Sequence, residues 1–313
     1  MKIVIILIIL LITLYLLTSY ILFIFISKKF NNYPLSSKIA NISELLKPYE
    51  NEINKGTKWV NSKNKEDIYI KSFDNLKLHG LLIKKNKPKG IFLEVHGYRS
   101  NPCRDLYPSC YNYYNMGYSI LLIDQRCSGK SEGKYLTFGI NESKDIISWI
   151  KYLNKEFPNI PIILAGISMG ASTVCLSVEL LEDNMNVKAV LSDSAFISAY
   201  DEIKYCLEYY FKIPSFLFID MINIWSKILG KYDIKARNVI NSLNSRNIPL
   251  LLIHGEDDDF VPTSNSIDIY NKYNGDIKEL VLFPKAQHGM NYLVDSKKYI
   301  KSIEDIFKRI DNL

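Results

Sequence analysis

The chain has no Cys-x-x-Cys pair, no His-Glu-x-x-His run, no Walker-type phosphate loop and no dinucleotide fingerprint. These absences remove the usual sequence signs of a structural zinc, a zinc hydrolase, a nucleotide-cleaving loop and a nicotinamide cofactor. No metal or organic cofactor is therefore expected. Cysteine is scarce: five residues, at 103, 110, 127, 175 and 206, odd in number and read as free thiols. Cys175 falls on an expected helix as a small buried hydrophobe. Nor is there a long block of one charge. The 39 basic and 33 acidic residues are intermixed, so the net charge of +6 describes an ordinary solvated surface and gives no reason to expect a nucleic-acid partner. A pI near 8.8 is compatible with a place beside an anionic membrane.

One long hydrophobic run is present. Residues 3–26 carry no charge and few polar side chains, among them Thr13, Thr18 and Ser19. At about 1.5 Å per residue these positions give roughly 36 Å of helix, enough to cross a bilayer core with some tilt. A cleaved signal peptide would have a shorter apolar core and a small-residue cleavage site, and the following Ser27-Lys28-Lys29-Phe30 offers none. Residues 1–27 are accordingly expected to be a single-pass membrane anchor, and 28–66 a polar tether that packs partly on the domain, with a short helix near 43–52. The positive charges flanking the run (Lys2 on one side, Lys28, Lys29 and Lys38 on the other) are too evenly matched to fix which side holds the domain.

From residue 67 to 313, short apolar runs alternate with helical patterns. Strands are expected at 68–73 and 76–83, joined as a hairpin by Asp74-Asn75, and at 91–95, 119–124, 161–165, 187–193, 249–254 and 279–283. Helices are expected at 105–115, 142–157, 171–181, 264–273 and 295–311. This alternation predicts an α/β fold, a mostly parallel sheet with helices on both faces. The interval of about 196–246 is too long for an ordinary loop and is rich in Tyr and Phe. It reads as an inserted pair or trio of helices capping the carboxyl ends of the strands, with some of its aromatics lining a substrate pocket.

The expected strand at 161–165 runs into Gly166-Ile167-Ser168-Met169-Gly170. A serine on a sharp strand-to-helix turn needs glycines on either side to avoid collision, and it presents its hydroxyl at the sheet's edge. The hydroxyl is a weak nucleophile without a base. Of four histidines, His79 lies within a strand pattern, and His96 and His254 each end a strand. His288 alone sits in a loop after the last strand, where it is free to meet Ser168. An acid to orient the base is available among Glu256, Asp257, Asp258 and Asp259, with Asp193 as an alternative at the end of the preceding strand. The amides of Met169 and Tyr98 are the expected oxyanion donors.

His96-Gly97-Tyr98, the run Asp124-Gln125-Arg126-Cys127-Ser128-Gly129-Lys130-Ser131-Glu132-Gly133, the elbow, the His-Gly-x-x-Asp-x-x-Val-Pro run at 254–262 and His288-Gly289 together resemble the serine-aminopeptidase-like group of bacterial α/β-hydrolases. The resemblance covers about residue 66 to the carboxyl terminus. It implies Asp258 as the acid of a Ser168–His288–Asp258 triad. It also implies an acyl-enzyme mechanism on a small-molecule acyl substrate, most simply an ester; peptides, thioesters or acyl transfer would use the same residues, and a non-catalytic scaffold would not need all three. Cys127 stands where this group usually has glycine, which puts the local turn geometry in question. Arg126 and Asp124 are expected to tie loops together beside the site.

Overall fold

The computed structural model describes residues 1–28 and 42–312. Residues 29–41, which open the interval read as a tether and include Lys29 and Lys38, lie outside the described residues. Nine longer helices are labelled here: α1 (Lys2–Ser27), α2 (Glu50–Ser62), α3 (Tyr107–Asn115), α4 (Glu142–Glu156), α5 (Met169–Ser177), α6 (Ala199–Tyr209), α7 (Ser215–Trp225), α8 (Ser264–Lys272) and α9 (Ser296–Asp311). The strands are β1 (Glu66–Lys71), β2 (Lys77–Ile83), β3 (Ile91–Val95), β4 (Ser119–Asp124), β5 (Ile162–Ile167), β6 (Val187–Asp193), β7 (Leu250–Gly255) and β8 (Lys278–Phe283).

They form one sheet in the order β1-β2-β4-β3-β5-β6-β7-β8. β1 and β2 form the expected hairpin, β2 also runs antiparallel to β4, and every pairing from β4 through to β8 is parallel. The central strands are buried on both faces, and for that reason read as near-continuous apolar runs rather than alternating ones, with buried Glu94 of β3 an exception. Successive side chains serve opposite layers. Leu93, Leu121, Leu164 and Leu252 pack under α4, α5 and α8. Their neighbours Phe92, Ile120, Ile163 and Leu251 pack under α2, α3 and α9.

Two stretches differ from the expected elements. The helix expected at 105–115 divides at Leu106 into a short turn, Pro102–Asp105, and α3. The helix expected near 43–52 becomes a short helix Ile42–Leu46, a 3-10 turn Lys47–Tyr49 and α2, which runs on to Ser62. α2 is part of the body: Val60 is fully buried, and Gly56 lies flat on α3, where a Cβ would come within 2.6 Å of the Tyr107 carbonyl oxygen.

A third apolar cluster joins the insertion to the amino-terminal helix. Phe23 and Ile26 of α1 pack with Ile203 and Leu207 of α6 and Ile219 and Ile222 of α7. α1 is long and apolar enough to cross a membrane. Its first four turns are exposed all round, whereas Ser19, Phe23, Ile26 and Ser27 are buried against the domain.

Candidate active site

Ser168 occupies the turn between β5 and α5 with φ 57° and ψ −122°, a conformation that costs a non-glycine residue of order 1–3 kcal/mol. Its neighbours show why the turn demands glycine. A Cβ on Gly166 would lie 2.4 Å from the Gly170 carbonyl carbon, and one on Gly170 would lie 2.1 Å from the Val95 carbonyl oxygen. The Ser168 amide is held by the Asp193 carbonyl at 2.7 Å. Met169 follows as the first residue of α5, so its amide belongs to the turn that has no acceptor within the helix. The loop after β3 runs alongside: a Cβ on Gly97 would sit 3.3 Å from the Ser168 Cβ. The Gly97 amide is committed to Asp105 at 2.8 Å, which brings Tyr98, the next residue, beside Ser168.

His288 lies in the loop after β8. Its Nε2 is 2.7 Å from Ser168 Oγ and its Nδ1 is 2.7 Å from Asp258 Oδ2. With the proton on Nδ1, the ring donates to the carboxylate and accepts from the serine hydroxyl. Asp258 is fixed by its own loop, accepting from the amides of Phe260 at 3.0 Å and Val261 at 2.9 Å, and it lies 3.1 Å from His254 Nε2. Burial alone would raise its pKa. The two imidazoles beside it outweigh that and hold the carboxyl well below the usual range. For His288 the balance runs the other way: burial disfavours the cation, yet Asp258 raises the ring above its ordinary value.

The other acid candidate is turned elsewhere. Asp193 accepts from Asn291 Nδ2 at 2.7 Å and Ser194 Oγ at 3.0 Å, and burial pushes its pKa up. The remaining histidines are held in structural bonds. His79 bridges Asp124 and Asp67, His254 bonds Ser266 and the Val261 carbonyl, and buried His96 bonds the Gly97 carbonyl and the Gln125 amide. Arg126 is bound by Asp145 through two bonds of 2.7 Å and by Asp74 at 3.1 Å, away from Ser168. Cys127 adopts φ +62°, the left-handed conformation that glycine takes freely and that is strained for cysteine. All five cysteines are free.

Two pockets meet at Ser168. One is largely apolar, walled by Phe25 and Ile26 of α1, Leu207 of α6, Phe211 and Phe138, with Arg99 and Glu202 the charged side chains on its lining. Its one carboxyl, buried Glu202, is pushed up to about 7 by burial. The other shares Tyr98, Arg99 and Phe260 with the first and adds Arg104, Asp105, Gln287 and His288 among apolar side chains such as Ile167, Met290 and Leu293. Among the described residues no three His, Cys, Asp or Glu side chains converge as a metal would require.

The place of α1 in this site is not among the sequence expectations. Its final carbonyls are taken by the loop that carries Tyr98: Tyr98 Oη donates to Ile26 O at 2.6 Å, and Arg99 donates to Phe25 O and, at 3.0 Å, to Lys28 O. The buried Ser19, Phe23, Ile26 and Ser27 fall on one helix face, but the run is apolar all round and its sequence does not mark that face.

Residues 86–222 match the family model described as serine aminopeptidase, S33. Among curated proteins, the chain is 25% identical to YqkD of Bacillus subtilis over 202 residues, 64% of this chain and 65% of that protein. It is 28% identical to human ABHD12B over 207 residues, 62% of this chain and 53% of that protein. The chain thus spans just over half to just under two thirds of the length of these relatives. Among solved structures, an esterase of Pyrococcus furiosus is similar at a TM-score of 0.64 and 26% identity, covering 79% of this chain and 92% of its own. Est1E of Butyrivibrio proteoclasticus, solved with ferulic acid bound, shares the fold at a TM-score of 0.61 and 20% identity, covering 76% of this chain and 97% of its own.

Proposed function

Since the chain belongs to the α/β-hydrolase superfamily, we propose that it is a membrane-anchored serine hydrolase that cleaves an acyl ester. One observation carries this reading: the unbroken relay from Ser168 Oγ to His288 Nε2 and from His288 Nδ1 to Asp258 Oδ2, each step 2.7 Å. A free serine hydroxyl does not attack a carbonyl at neutral pH; one whose proton has a waiting acceptor does. Ser168 adds to the carbonyl carbon while His288 takes its proton, and Asp258 stabilises the imidazolium. The Met169 and Tyr98 amides receive the oxyanion, a contribution of about 3–4 kcal/mol per donor. His288 then returns the proton to the leaving alcohol. Water, deprotonated by the same ring, releases the acyl group from Ser168. The apolar pocket beside Ser168 and the likeness to the Pyrococcus esterase favour an ester over a peptide. The length and apolarity of α1 support the anchor.

The test is covalent. Wild type should react with a fluorophosphonate and turn over p-nitrophenyl butyrate, and Ser168→Ala should do neither while keeping its melting temperature. Labelling that persists in that variant would remove Ser168 as nucleophile. A larger loss for Asp193→Asn than for Asp258→Asn would reassign the acid.

A further inference from the structure

We propose that the last turns of α1 build the acyl pocket and that the pocket takes its acyl chain directly from a bilayer, making a membrane lipid ester the substrate. The inference rests on the hydrolase reading above and adds a substrate class and a route of entry to it.

The first support is composition. The apolar pocket reaches Ser168 at one end, and α1 supplies part of its wall through Phe25 and Ile26. Phe25 packs edge-on against Phe211 of the insertion at 5.5 Å between ring centres, closing helix and cap into one surface. The second pocket, which shares Ser168, Tyr98, Arg99, Tyr210 and Phe260 with the first, is also mostly apolar but adds Arg104, Asp105 and Gln287. A molecule with its ester at Ser168 would thus meet extended apolar wall for a hydrocarbon tail, with a few charged and polar groups available to a head.

The second support is length. α1 first touches the domain at Tyr15, whose hydroxyl donates to Leu217 O at 2.7 Å and whose ring stacks on Phe218. Lys2 to Leu14 is the part free of the domain, and at about 1.5 Å per residue it measures about 20 Å, short of the roughly 30 Å hydrocarbon core. The helix can cross only if its docked portion, and α7 with it, enters the lipid. The exposed arc of α7 is mostly apolar, its one acidic side chain being Asp220, which Lys235 pairs at 2.7 Å. Leu217 and Ile224 share one of its faces at a spacing of seven and are exposed, Phe216 is 76% exposed, and Ile228 just beyond is 62% exposed. Tyr20 meets Trp225 at 5.4 Å and the Trp225 indole donates to Ser19 at 3.0 Å, so α1 and α7 go in together.

The experiment uses the full chain in phosphatidylcholine vesicles, assayed with a soluble butyryl ester and with a palmitoyl glycerol ester dissolved in the membrane. Ile26→Trp should lower the palmitoyl-to-butyryl rate ratio at least tenfold, and Ile26→Ala should leave the ratio equal or raise it. Phe216→Glu combined with Ile228→Glu, outside the pocket, should leave butyryl turnover unchanged and cut hydrolysis of the vesicle-borne ester at least tenfold. An Ile26→Trp ratio equal to wild type overturns the α1 wall, and full vesicle activity in the double variant overturns entry from the bilayer. Fluorophosphonate labelling separates the readings. Labelled protein with no preference for the membrane ester sinks this inference alone, whereas unlabelled wild type sinks the hydrolase reading beneath it.

Discussion

His288 sits between two opposing influences, burial that disfavours its charged form and a carboxylate 2.7 Å away that favours it, and the carboxylate wins. In the proposed mechanism turnover needs the neutral ring, so the acid limb of kcat/KM should lie above the ordinary histidine value of 6.5. Asp258→Asn keeps the loop's amide bonds available but removes the charge. It should cut kcat by about 10⁴ and move that limb to lower pH, as pH–rate profiles on a soluble ester would reveal. A limb that stays in place would mean that Asp258 does not govern the ring. Stability carries the opposite sign. The raised His288 contributes fully below 6.5 and loses its contribution as pH rises through the folded value. The depressed Asp258 contributes above its ordinary 3.8 and loses that as pH falls through its folded value. The pair therefore stabilises most between about pH 4 and 6.5 and works best above that window.

At the scale of elements, Gly56 gives a test in which the ordinary rule should reverse. Alanine in place of a mid-helix glycine usually gains about 1 kcal/mol. Here the added Cβ would lie 2.6–2.8 Å from backbone atoms of Tyr107 and Pro108, so Gly56→Ala should cost about 1–3 kcal/mol, read as a lower denaturation midpoint. Strands were legible wherever a doubly buried position leaves an unbroken apolar run: 119–124 and 187–193 are the same in sequence and structure. The meeting of Ser168, Asp258 and His288 followed from strand order, because β5, β7 and β8 all end on one edge of a parallel sheet. What composition concealed was α2. Its contact with α3 depends on Gly56, buried Val60 and the Trp59 ring against Tyr111 and Tyr114, and its sequence otherwise reads as polar linker. The split at Leu106 was equally hidden, since Pro108 is compatible with either a kink or a fresh first turn.

At the scale of the whole molecule, a run of apolar residues announces lipid and says nothing about which of its side chains also meet protein. Phe23 is as buried as any core residue, yet in sequence it is one more member of the run. A form lacking residues 1–28 should accordingly be damaged. Tyr98 and Arg99 lose the carbonyls of Ile26, Phe25 and Lys28, and the cap loses the side chain that fills its cluster. Turnover of even a soluble ester should drop at least tenfold and the melting temperature should fall; unchanged turnover would reduce α1 to a leash. The bonds at the end of α1 also decide how the domain can move. Tyr98, Arg99 and the Leu136 amide on the Ser27 carbonyl restrain the joint between α1 and the domain. With α1 as the anchor proposed above, a slack tether would let the domain sweep a hemisphere of solution, whereas this restrained joint would hold the mouth of the pocket near one height and tilt, and the search for substrate would take place in two dimensions.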